Sequence, residues 1–105
     1  MADLVSITDE NFVDEVEKSG RTVLIDCWAE TCASCKALKP RLEQIAEEQD
    51  TVKIVALNVM QSPRLANKFK VMSLPTMLVV KGGAVVDRME GAFSIAFIKQ
   101  KLAMI

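Results

Sequence analysis

The chain has no histidine, and that absence removes a large block of chemistry. There is no Cys/His protease pair and no imidazole to ligate a metal. Its four glycines form neither a G-x-G-x-x-G nor a P-loop, so no nucleotide site of its own is evident. Electrons for any redox reaction must then come from another protein or a small thiol. Neither sign of charge is in excess: 13 basic residues face 14 acidic ones, for a net −1. That balance gives no electrostatic reason to expect a nucleic acid or an acidic membrane surface as partner. No apolar run approaches the roughly 20 residues a membrane span needs. The opening "MADLVSITDE" has neither the basic nor the apolar region of a secretory signal, so the expected compartment is the cytoplasm.

Cysteine is scarce and odd in number. Three thiols make a poor disulfide framework. In a reducing compartment a close pair is more readily catalytic, redox-active or metal-bound than structural.

What is present fits one domain over residues 1–105, with 50% hydrophobic content sufficient for a single core. No repeat, linker or low-complexity tract interrupts it. Residues 9–19 read as a helix capped by Thr8, with Ile7 stapled to Phe12 and Gly20 ending it. "TVLIDCWA" (22–29) is β-branched and near-continuously apolar, as suits a strand buried on both faces. From about Cys32 to Glu48 apolar residues recur at helical spacing, with Pro40 inside as a kink. "TVKIVALNV" (51–59) is a second buried strand, and Ser62-Pro63 opens a short helix. "TMLVVK" and "AVVDRM" flank Gly82-Gly83 as a β-hairpin. Ser94 caps a closing helix, with Phe93 and Ile98 as its staple. With a short first strand at "LVSI", the order is βαβαβ, then hairpin, then helix. That order predicts an α/β fold with a mixed central sheet and helices on both faces.

All three thiols and the only tryptophan lie in "DCWAETCASCKALKP", residues 26–40. In Cys32-Ala-Ser-Cys35 the two cysteines stand at i and i+3, on one helical face, where two sulfurs can approach bonding distance. The first sits at the positive end of the helix, which favours its thiolate. Cys32 is therefore expected to be the exposed nucleophile and Cys35 the buried resolving thiol. A structural zinc site fails on ligand count. Cys27 does not complete one, because strand alternation turns it away from Asp26, and its expected role is that of a small buried apolar residue. Asp26, inside "VLIDCW", is desolvated, so its pKa rises towards neutrality. A carboxylate placed there could take the proton Cys35 must lose before it attacks.

These residues carry a family resemblance. Asp26, Trp28-Ala29, Cys32-x-x-Cys35-Lys36, Pro40, Leu74-Pro75-Thr76, Gly83 and Gly91 occur in the order and spacing of a thioredoxin, over essentially the whole chain. The resemblance implies the thioredoxin fold, a cis Pro75 beside the cysteine pair, and Leu74 backbone groups that bind an extended target segment by strand addition. It also implies a groove rimmed by Trp28 and Gly91; core packing of Trp28 is compatible with that role, and a turn of positive φ is an equal alternative for Gly91. No cofactor is implied beyond the Cys32–Cys35 redox disulfide. The implied partners are disulfide-containing proteins as substrates and a flavin-containing thioredoxin reductase as electron donor, with the chain acting as a monomer.

Departures from the family pattern matter as much. Where W-C-G-P-C is usual, this chain has Thr31-Cys32-Ala33-Ser34-Cys35. Thr31 makes the docking surface less apolar. Ser34 adds a hydroxyl and an amide N–H as possible donors to the Cys32 thiolate. Extra thiolate stabilisation would make the pair a weaker reductant. Ala56 stands where the family often has a lysine near the buried acid, so the Asp26 pKa is expected to be higher still. Met60 and Met72 fall at loop ends near the site. Core gap-filling is the simpler expectation for them, and a pliable contact surface the alternative.

The expected activity is thus a thiol–disulfide oxidoreductase that reduces protein disulfides. Two rivals follow from the same residues: an oxidase or isomerase permitted by Ala33-Ser34, and a binding module whose cysteines are incidental.

Overall fold

A computed structural model describes residues 4–105; residues 1–3 of the expected domain lie outside the described residues. The strands are β1 (Val5–Ser6), β2 (Thr22–Trp28), β3 (Val52–Asn58), β4 (Thr76–Lys81) and β5 (Ala84–Glu90). The α-helices are α1 (Ala33–Glu48), α2 (Pro63–Lys68) and α3 (Ile95–Ala103). The sheet runs β1-β3-β2-β4-β5, with β1, β3 and β2 parallel, β4 antiparallel to β2, and β5 antiparallel to β4. Parallel β2 and β3 cannot be joined by a tight turn, and α1 supplies the crossover between them.

Strand alternation sorts the core into two layers. Val23, Ile25 and Cys27 of β2 pack with Val55, Leu57 and Leu78, under Phe12, Val16 and Leu65. Leu24 turns the other way, with Ile54, Met77 and Val79, against Leu38, Leu42 and Ile45 of α1 and Ile98 of α3. Each such fully buried aliphatic side chain contributes about 1.5–3 kcal/mol. β2 is central and covered on both sides, which is why its sequence reads as an apolar run instead of an alternation.

The helix expected over 9–19 is replaced by a turn and five residues of π-helix, Val13–Glu17. Asn11 holds the start of the segment. Its Oδ1 accepts from the Thr8 N–H at 2.8 Å, its own N–H reaches Thr8 Oγ1 at 3.4 Å, and its Nδ2 donates to the Ser6 carbonyl at 2.9 Å. Thr8 and Asn11 thus cap each other reciprocally at the start of the segment, as expected of Thr8, and what differs is the helix that follows. The Lys18 N–H then bonds the Val13 carbonyl at 2.8 Å, an i→i+5 closure. Gly20 takes no positive φ and is not a left-handed terminator. Elsewhere the local chemistry is mostly as expected, although Ser62, expected to cap α2, makes no side-chain cap hydrogen bond. Pro63 is in the first turn of α2, the Ser94 hydroxyl accepts from the Phe97 N–H at 3.2 Å, and Gly82 and Gly83 turn the hairpin at φ 60° and 82°. Helix α1 continues through Pro40 to Glu48.

Candidate active site

The chain leaves β2 at Trp28 and re-enters regular structure with Cys32 as the N-cap of α1. The Cys35 N–H points at Cys32 Sγ across 3.2 Å, and the Ser34 hydroxyl lies 3.4 Å from the same sulfur. One expectation changes here: the amide serving Cys32 is that of Cys35, not of Ser34. The helix N-terminus adds its positive end, so all three groups favour negative charge on this sulfur. Cys32 and Cys35 are within disulfide distance, with Cα atoms 5.3 Å apart. Cys32 is half-buried at the mouth of the helix between exposed Thr31, Ala33 and Ser34, whereas Cys35 is 2% exposed.

Behind Cys35 lies a cavity of about 440 Å³. Asp26 and Trp28 reach it from β2, and Cys35, Lys39 and Glu43 from α1. Asp26 is 2% exposed, and its Oδ1 has no hydrogen-bond partner in the structure. Burial pushes its carboxyl up to about 7, and the positive charge of Lys39 pulls it partly back. Ala56 is the β3 register partner of Asp26 and offers only a methyl group. The expectation that Ala56 leaves Asp26 without any nearby cation is therefore corrected: α1 supplies one. Cys27, one residue on, faces the opposite layer as expected, and burial pushes its thiol up to about 12.

Leu74, Pro75 and Gly91 gather at the end of the sheet where β2 stops and the chain runs on to Cys32. The Leu74–Pro75 bond is cis, and Thr76, next in the chain, pairs with Cys27. The Gly91 N–H bonds the Pro75 carbonyl at 2.9 Å. Gly91 has φ 138°, with the Phe93 ring 3.4 Å from where a Cβ would stand, so its conformation suits glycine. From α1, Arg41 Nη1 holds the Ala92 and Phe93 carbonyls at 2.8 and 3.0 Å, tying this loop to the helix that carries the thiols. Met60 and Met72 are 76% and 89% exposed. They fill no core gap, which corrects the simpler expectation.

Sequence reasoning missed Lys39 and Glu43. The available signal was spacing: 35, 39 and 43 recur at i+4, the face of α1 that Cys35 shares. A polar residue at a buried helical position is easily read as surface, and Glu43 is only 7% exposed. Among the described residues no group of three His, Cys, Asp or Glu is placed to hold a metal ion. Among them, too, no helix is long and apolar enough to cross a membrane.

Comparison with known proteins agrees with this geometry. The Thioredoxin family model matches residues 3–104. A thioredoxin of Chlorobaculum thiosulfatiphilum is 43% identical over 96 residues, covering 90% of this chain and 89% of that protein. A thioredoxin of Streptomyces clavuligerus is 45% identical over 89 residues, covering 85% and 83%. A bifunctional thioredoxin reductase/thioredoxin of Mycobacterium leprae is 40% identical over 89 residues, 84% of this chain but 19% of that longer protein. With a dithiol at disulfide distance on the end of a mixed five-stranded sheet, this chain belongs to the thioredoxin family and is a thiol–disulfide oxidoreductase of the protein-disulfide reductase kind.

Proposed function

We propose the following division of labour within this reductase. The Cys32 thiolate attacks one sulfur of a substrate disulfide, forming a mixed disulfide and releasing the other substrate sulfur as thiolate. Asp26, as carboxylate, takes the Cys35 proton directly or through water. The Cys35 thiolate then attacks Cys32 Sγ, expelling the second substrate thiolate and leaving the Cys32–Cys35 disulfide. Two electrons pass from the dithiol to the substrate, and protons from the Asp26 carboxyl and solvent complete its thiols.

One observation carries this assignment: the two sulfurs are unequal. Cys32 is accessible at the helix N-terminus with an N–H and a hydroxyl aimed at it, while Cys35 is enclosed beside the cavity that also receives Asp26. An extended substrate segment would dock along Leu74 and cis-Pro75, between Trp28, Thr31 and Gly91. The exposed Met60 and Met72 extend that surface with pliable apolar contact. Ala33 and Ser34 tune the potential of the pair.

A thioredoxin reductase would return the chain to the dithiol. The relative that carries both activities in one polypeptide supports this pairing. A reducing compartment such as the cytoplasm suits the buried free thiol of Cys27. The test is rapid alkylation of the reduced protein across pH. One thiol, Cys32, should react below pH 8 and Cys35 more slowly. Equal, sluggish reaction of both would overturn the assignment.

A further inference from the structure

Asp26 is enclosed by three elements, and only one of them offers it a charge. β3 presents Ala56 and β4 presents Met77 as its register partners, neither of which titrates. The ionisable groups on its cavity are Glu30, from the segment after β2, and Cys35, Lys36, Lys39 and Glu43 of α1. Cys27 adjoins it through the chain and faces the other layer. Of the two cations, Lys39 acts on the carboxyl. It stands one helical turn beyond Cys35, on the same face, and its side chain lines the cavity while remaining exposed. A lysine so placed can hold its head group in water while its stem covers apolar wall.

We propose that Lys39 is a positioning residue of the reductase: from α1, its ammonium sets how tightly the Asp26 carboxyl holds the proton exchanged with Cys35. The helix that delivers the resolving thiol thus also delivers the charge that adjusts its base. The proposal rests on Asp26 being that base. The location matters because Asp26 lies near its midpoint at neutral pH. There, a rise of about half a pH unit cuts the ionised share roughly twofold.

The test follows the Asp26 carboxyl by carbon NMR during a pH titration of the oxidised protein, alongside the pH profile of the resolving step. Lys39→Gln should raise the midpoint by about half a unit or more, and Lys39→Arg should hold it at the parent value. Adding Ala56→Lys to Lys39→Gln should lower the midpoint again, since position 56 is Asp26's register partner. High salt should shrink the Lys39→Gln difference, because the cation is exposed. An unmoved midpoint in Lys39→Gln, or Lys39→Arg behaving like Lys39→Gln, overturns the proposal. A midpoint that moves while the resolving profile stays fixed would leave the Lys39–Asp26 coupling intact and refute Asp26 as the base. The two failures are therefore distinguishable.

Discussion

Asp26 and Cys27 are neighbours in sequence and opposites in environment. Both are almost fully buried, and burial raises the pKa of both, because each is charged when deprotonated. The carboxyl moves from 3.8 to about 7, into the range where it exchanges protons at physiological pH. The thiol moves from 9.0 to about 12, out of that range. Asp26 also opens on a cavity shared with Cys35, whereas Cys27 is sealed between Leu57, Leu78 and their neighbours. The same physical cost thus brings one acid into the physiological range and carries the other out of it. Starting value and access decide the difference.

The hardest test of this contrast exchanges the thiols in function. Cys35→Ser should abolish multiple turnover, by about a thousandfold or more, and accumulate a substrate mixed disulfide on Cys32, visible by mass spectrometry. Cys27→Ala should leave turnover within about twofold, at a stability cost of about 1 kcal/mol for the small cavity.

Asp26→Asn should slow the resolving step at pH 7 by roughly a hundredfold, measured by stopped-flow tryptophan fluorescence. It should also change the pH dependence of stability. The native carboxyl keeps its proton up to about pH 7, while the unfolded one releases it near 3.8. Stability from this group is therefore full below that lower value and is lost as pH rises through 7, by roughly 4 kcal/mol in all. Urea unfolding of Asp26→Asn should lack this slope and show a more stable protein than the parent at pH 8. An unchanged slope would mean that the Asp26 carboxyl releases its proton over the same pH range in the folded and the unfolded chain.

Alkylation reads the thiol side of the contrast. In the folded, reduced protein Cys27 should stay unmodified to pH 9 and react only in denaturant. The smallest expected effect concerns Ser34, whose hydroxyl is 3.4 Å from Cys32 Sγ. Ser34→Pro removes that donor and should lower the reduction potential by roughly 10–30 mV, measured against a defined thiol buffer. A rise would show that the hydroxyl does not favour the thiolate.

The central strand was legible because a doubly covered strand leaves an unbroken apolar run. Cys32–Cys35 was legible because i and i+3 share a helical face. Thr8 was legible as the cap of segment 9–19, with Asn11 returning its hydrogen bond, but the apolar pattern does not record that the turn beyond closes at i+5, as the Lys18 N–H does on the Val13 carbonyl. Met60 and Met72 were misread because an apolar residue carries no sign of which way a loop turns.

By itself, the sequence determined the pieces: strand, N-cap thiol, helix, turn glycines and an acid inside an apolar run. These follow from periods of 2 and 3.6 and from the chemistry of single residues. Only the tertiary structure decided what faces what. Strand register put a methyl group, Ala56, beside Asp26, and the packing of α1 put Lys39 and Cys35 on one cavity with it. The physical reason is that solvation and Coulomb forces depend on distances in space between residues remote in the chain, and no local pattern records those distances.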